Sequence, residues 1–115
     1  MTTIAEFLDL VGQLEEVTIG EHSRYASLEV SGRTFGYLWE PTRTVGLKQT
    51  LAEQADLVGE RPEVFEVQFT AGGFGWVVVY LDSVSRDELA ELTFEAWRLS
   101  APVRLVTERG DRLPV

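Results

Sequence analysis

Residues Val64 to Leu81 constrain this chain more than any other stretch. Val64-Phe65-Glu66-Val67-Gln68-Phe69-Thr70 alternates apolar and polar side chains, the period-two signature of a strand with one buried face. Ala71-Gly72-Gly73-Phe74-Gly75 reads as a turn, and Trp76-Val77-Val78-Val79-Tyr80-Leu81 as the returning strand. The alternation points Phe65, Val67 and Phe69 inward. The rest of the chain reads as helices and a second hairpin gathered onto the same antiparallel sheet.

The returning strand is apolar on both sides, so its parity is open. If Thr70 pairs with Trp76 across a five-residue turn, Val77, Val79 and Leu81 enter the core. Trp76, Val78 and Tyr80 then lie on the second sheet face among Glu66, Gln68 and Thr70. A four-residue turn swaps the two sets. The choice decides whether an aromatic patch is exposed.

Elsewhere the chain supplies the covering elements. Thr3 with Glu6 has the form of a capping box, and Ile4, Phe7, Leu8, Val11 and Leu14 recur at helical spacing behind it. Val17 to Tyr25 reads as irregular. Ala26 to Val30 and Arg33 to Glu40 both alternate at period two around a Ser31-Gly32 turn. That turn sets Val30 opposite Arg33, Leu28 opposite Phe35 and Ala26 opposite Tyr37. Leu28, Phe35, Tyr37 and Trp39 then share the core side, and Phe35 and Phe69 lie on the same side of the sheet. A short strand from Thr44 to Lys48 follows, with Val45 and Leu47 inward. A helix from Thr50 to Val58 comes next, with Leu51, Ala55 and Val58 as its stripe and Gly59 closing it. Ser85 caps the last helix, whose stripe is Leu89, Leu92, Ala96 and Leu99 widened by Phe94 and Trp97. Pro102 ends it. Residues 103–115 read as an extension or tail of a single domain spanning 1–115.

Size and charge bound the function. A chain of 115 residues with 44% hydrophobic and 25% charged residues can bury one core and is too short for two domains. Without cysteine there is no disulfide, no thiolate catalysis and no cysteine-ligated metal, and a reducing interior is the expected setting. The first residues have no basic region before an apolar run, and no apolar run reaches the roughly 20 residues that span a bilayer. A cytoplasmic protein with no membrane association is expected. The net charge of −9 repels a duplex at long range, so nucleic-acid binding would require basic residues gathered on one face. Arg24, Arg33, Arg43 and Lys48 form the segment relatively rich in them.

The chemistry available for catalysis is thin. The glycines at 72, 73 and 75 sit at a hairpin tip rather than between a strand and a helix, so they serve turn geometry rather than phosphate binding. No serine lies in a nucleophile-elbow pattern. His22 is the single histidine and has no second ligand candidate nearby, so neither a metal centre nor a cofactor is expected. Adjacent acids such as Glu15-Glu16 and Asp87-Glu88 read as surface charge. A non-enzymatic domain is expected. Its candidate partner surface is Trp76, Val78 and Tyr80, which could stack on a base, an aromatic ligand or another subunit.

Read in order, these pieces resemble the MmcQ/YjbR family of small bacterial proteins. The resemblance rests on the hairpin Leu28 to Gly36, on Val45-Gly46-Leu47-Lys48, on Gly75-Trp76-Val77, and on Asp87-Glu88-Leu89 through Glu95-Ala96-Trp97-Arg98-Leu99 to Ala101-Pro102. It implies an α+β fold of the CyaY-like (frataxin-like) class, with one antiparallel sheet, helices on one face and the order α-β-β-β-α-β-β-α. The element list read from the residues has the same order. The resemblance also implies DNA binding through a double wing, the hairpins at Ser31-Gly32 and Ala71 to Gly75, and brings no catalytic residues. Two functional expectations follow. Arg24, Arg33, Arg43 and Lys48 would contact DNA phosphates, or Trp76, Val78 and Tyr80 would hold a protein partner, a second copy or a small ligand.

Overall fold

Side-chain caps start the first three helices, at the expected residues Thr3 and Ser85 in the first and third. The computed structural model describes residues 1–115 throughout. In α1 (Ile4–Gly12) the Thr3 hydroxyl accepts from the Glu6 N–H while the Glu6 carboxylate accepts from the Thr3 N–H, satisfying two donors that the first turn leaves free. Four strands follow: β1 (Val17–Glu21), β2 (Ala26–Val30), β3 (Arg33–Trp39) and β4 (Thr44–Thr50). Thr50 and Glu53 repeat the capping box at α2 (Leu51–Glu60). After β5 (Phe65–Ala71) and β6 (Phe74–Tyr80), Ser85 accepts from the Glu88 N–H to open α3 (Arg86–Arg98). The chain ends in α4 (Val103–Arg109) and a short irregular segment.

The six strands form one antiparallel sheet in the order β1-β2-β3-β4-β6-β5. Both hairpin turns are two residues long. Ser31 and Gly32 have φ of 49° and 80°, and Gly72 and Gly73 have φ of 59° and 83°. Positive φ at both central positions matches the right-handed twist of the strands they join. The helices cover one face. Val45, Leu47, Val77, Val79, Leu28 and Phe35 meet Phe7, Leu10, Leu89 and Trp97 in a single cluster of 24 buried apolar residues. The α+β class, the single sheet and the one-sided helices are as expected.

Several local expectations change. Val17 to Glu21, expected to be irregular, is an edge strand paired with β2. Residues 103–109, expected as a tail, form α4, whose Leu105 is buried in the core. Gly59 lies inside α2, and the helix buries Gln54 and packs Leu57 and Val58 while Leu51 stays exposed.

The larger corrections come from two β-bulges. In the β2–β3 pair, Glu29 faces Thr34 but Leu28 faces Gly36, leaving Phe35 as an extra residue. Beyond it the pleat is reversed relative to the expected register. Ala26 therefore faces Leu38, and Tyr37 and Trp39 turn away from the core. In the β5–β6 pair, Val67 faces Val77 and Phe69 faces Trp76, leaving Gln68 as the extra residue. Phe69 moves to the helix-free side, opposite to Phe35. Neither the five-residue nor the four-residue turn is formed, yet Val77, Val79 and Leu81 are the buried set and Trp76, Val78 and Tyr80 are not in the core cluster.

A buried arginine ties α4 to the body of the protein. Arg109, 6% exposed, donates to the Gln13 carbonyl (3.0 Å), the Glu15 carboxylate (2.8 Å) and the Arg112 carbonyl (2.6 Å), and its guanidinium lies 5.7 Å from the centre of the Phe94 ring. Arg109→Ala leaves Glu15 and two carbonyls without their donor and should cost about 2 kcal/mol. A lower urea midpoint with faster amide exchange confined to residues 103–109 and the end of α1 is the expected result.

Candidate functional site

With the helices on one side, strand alternation delivers a second set of side chains to the bare side. One row of the ladder runs Glu66, Val78, Gly46, Tyr37, Ser27 across five strands. Trp76, Val78 and Tyr80 come from β6, Tyr37 and Trp39 from β3, and Gln68 and Phe69 from the β5 bulge. Their rings touch in sequence. Phe69 and Trp76 have centroids 5.1 Å apart, Trp76 and Tyr37 5.6 Å, Tyr37 and Trp39 5.9 Å, and Tyr37 and Tyr25 5.9 Å. His22 stacks on Tyr25 at 4.5 Å and places Nε2 3.2 Å from the Ser27 hydroxyl. These separations are those of favourable aromatic pairs. Trp76 sits in the middle and is 7% exposed, yet it is the one buried apolar side chain outside the 24-residue core. Its burial comes from its neighbours on the bare face.

Two features seat this layer. A Cβ on Gly46 would lie 2.2 Å from Gln68 Oε1 and 3.0 Å from Trp39 Cη2, so glycine lets the Gln68 side chain lie over this position where any Cβ would push it aside. The Gln68 oxygen is buried there without a hydrogen-bond partner. From the other side of the sheet, Gln54 of α2 donates Nε2 to the Trp76 carbonyl (2.9 Å) and the Phe69 carbonyl (3.2 Å). These carbonyls flank the bulge, so one helix side chain holds the distortion that turns Phe69 outward. Gly75 is glycine because a Cβ would meet Gln54 at 2.6 Å.

Charge on the bare face is sparse and mainly acidic. Glu66 accepts a hydrogen bond from the Tyr80 hydroxyl, and this bond, followed by burial, raises the phenol pKa above its ordinary value. Tyr37 is also raised, first by burial and then by the charges of Tyr25 and Glu29. Lys48 holds Nζ 4.1 Å from the centre of the Phe74 ring and 3.2 Å from the Ser100 hydroxyl, and burial lowers its pKa. Next to the face, the His22–Tyr25 loop closes a cleft of about 250 Å³ lined by Leu8, Ile19, Leu38 and Pro41, with Arg24 at its wall. No group of three or more His, Asp or Glu side chains is placed to hold a metal ion. No helix is long and apolar enough to cross a membrane.

The YjbR family model matches residues 12–99. The chain belongs to the YjbR family. No curated protein matches its sequence. Its fold is similar to the crystal structure of the Deinococcus radiodurans protein DR2400, which carries a DUF419 domain. The TM-score is 0.76 at 18% identity, over 97% of this chain and 83% of that one. At that identity the likeness is one of fold.

Within this YjbR domain the expected residues separate into groups. Arg33 and Lys48 lie at the end of the sheet that carries both hairpin turns, near enough for Arg33 to depress the Lys48 pKa. Arg24 and Arg43 lie at the opposite end, the length of the seven-residue β3 away, about 20 Å. Arg43 is paired there with Asp82. The four basic residues do not form one cluster. Trp76, Val78 and Tyr80 do share a surface with Gln68, as the five-residue-turn register has it, and Tyr25, Tyr37, Trp39 and Phe69, assigned elsewhere from the sequence, join them. A signal for these was present in Gly36 and Gly46, since glycine inside a strand marks a bulge or a close approach.

Removing the Gln54 clamp tests how the layer is held. Gln54→Ala should destabilise the protein by about 2 kcal/mol, because two carbonyls lose their donor. It should also shift tryptophan emission to longer wavelength as Trp76 loosens. In Glu66→Gln, Tyr80 loses its strongest acceptor and should ionise at lower pH than in the parent, read by tyrosinate absorbance. The sign follows from the raised pKa. The contribution of the Tyr80–Glu66 bond to stability is complete below the ordinary tyrosine range and is lost as pH climbs through the raised value.

Proposed function

We propose that this YjbR-family chain is a non-enzymatic, cytoplasmic binding module that holds a partner against the helix-free face of its sheet. The carrying observation is Trp76, buried by Tyr37 and Phe69 outside the core that folds the protein. An aromatic layer of this kind, with Phe69 39% and Tyr25 38% exposed at its margins, supplies rigid apolar contact area at low entropic cost. The missing cysteines support the cytoplasmic setting. Indole N–H resonances read the proposal directly. A panel of peptides, nucleotides and small aromatic compounds should include members that shift Trp39 and Trp76. Trp97, whose Nε1 donates to the Glu15 carbonyl inside the fold, should stay unmoved. A panel that leaves Trp39 and Trp76 still would overturn the reading.

DNA binding is the second reading, favoured by the two hairpin turns sharing one end of the sheet with Arg33 beside the first and Lys48 between them. Its support is narrower. Seven of the ten basic residues are ion-paired, leaving Arg24, Arg33 and Lys48, and the net charge is −9. At about 50 mM salt, duplex DNA should leave Trp39 and Trp76 unshifted and bind weakly or not at all. Tight binding abolished by Arg33→Ala and falling steeply with salt would transfer the assignment to the hairpin end.

A further inference from the structure

We propose that the partner held on this face is a basic peptide segment, with an arginine or lysine side chain seated over Gly46 between the rings of Trp39, Tyr37 and Trp76. The inference rests on the open-face reading and names its ligand class. Three independent observations converge on a cation. First, ring faces attract cations, and the bare face presents Tyr37, Trp39, Trp76 and Phe69 in one connected layer. Second, the carboxylates on this face, Glu29 and Glu66, take part in no ion pair. Glu29 lies close enough to Tyr37 to act on its titration, and Glu66 lies in the same ladder row as Gly46, two strand spacings or about 10 Å away. Third, the orphan polar atom of the face is an acceptor. Gln68 Oε1 is buried with no donor, against the glycine floor and beside Trp39. An entering guanidinium or ammonium supplies the missing N–H and, as Gln68 swings outward, takes the space above Gly46.

Other occupants fit less well. A second copy of the chain would bring another −9 and a second pair of carboxylates to the contact. Nucleic acid would bring phosphates to a face whose one lysine, Lys48, is turned to Phe74 and Ser100. A basic segment meets complementary charge at long range and rings at short range.

The test compares a short peptide carrying two arginines with its citrulline counterpart, at fixed ionic strength, reading the Trp39, Trp76 and Trp97 indole signals. The arginine peptide should shift Trp39 and Trp76 and leave Trp97 unmoved, and the citrulline peptide should bind about tenfold more weakly. Glu66→Gln should weaken the arginine peptide several-fold. Asp56→Asn, an equal change of charge on the exposed face of α2, should leave it unchanged. Equal binding of the arginine, citrulline and an acidic peptide at Trp39 and Trp76 would sink the cation while leaving the open face as the contact surface. Arginine-peptide binding that never moves Trp39 or Trp76, or that Asp56→Asn weakens as much as Glu66→Gln, would sink both, because the attraction would then be general to an acidic protein. An unchanged Trp97 signal and a single cooperative thermal transition in both variants confirm that they are folded.

Discussion

A strand sends successive side chains to opposite faces, so one extra residue reverses the destination of everything beyond it. Two such insertions set the surface of this protein. Phe35 in β3 lets both Phe35 and Gly36 face the helices and sends Tyr37 and Trp39 to the bare side. Gln68 in β5 does the converse, keeping Phe65 under the helices while releasing Phe69. Between them β4 and β6 pair through seven residues without interruption, from Thr44 opposite Tyr80 to Thr50 opposite Phe74. The regular pair carries Val45, Leu47, Val77 and Val79 into the core, and the bulged strands on either side aim aromatics at its back. Trp76 is where the two reversals meet.

Each reversal is held by groups that fit nowhere else. A Cβ on Gly36 would stand 3.1 Å from Leu28 Cδ1, Leu47 Cδ2 and the Gly46 carbonyl, so any side chain at the doubled-up position beside Phe35 would have to push these neighbours back. At the other bulge the Phe69 and Trp76 carbonyls point toward α2, and Gln54 is there to donate to both. Without that donor, two buried acceptors would favour a straightened ladder, and straightening would return Phe69 to the helix side. The glycines and the buried glutamine thus act on the open face without belonging to it. Their effect is to fix which rings are presented.

The regular parts of this architecture were legible in the residues. The Thr3–Glu6 capping pair, the Ser85 cap, the Ser31-Gly32 turn and the inward Val45 and Leu47 follow from short-range chemistry, which a single sequence displays. The registers at the bulges were not legible: Gly36 inside a strand hints at an irregularity, but nothing in Thr34-Phe35-Gly36-Tyr37 states which partner each residue will face. Register is decided by the neighbouring strand and by Leu28 and Leu47 packing against a glycine. The same gap hid β1, whose alternation is weak because an edge strand needs only one partner, and α4, whose anchoring to Gln13 and Glu15 is about a hundred residues distant in sequence. Consequently the sequence pointed to Trp76, Val78 and Tyr80 as a surface and missed the rings that complete it. The basic quartet failed to gather for a related reason: its members flank both ends of β3 and β4, and strand length keeps those ends apart.

On the proposed reading, charge and shape divide the work of recognition between distance scales. At range, a partner meets −9, with seven of ten cations already neutralised by carboxylates on the helices and loops. Exposed pairs of that kind add little stability, but they remove the positive charge that would otherwise draw in an anionic partner. At contact, the field matters less than the rings, a glycine floor and an oxygen that lacks a donor. A partner whose charge suits the approach and whose donor suits the floor satisfies both, whereas an apolar one meets the rings and leaves the oxygen unpaired. Burying such an atom more deeply without a donor is costly, so on the proposed reading the open face would discriminate by what it lacks as much as by what it presents.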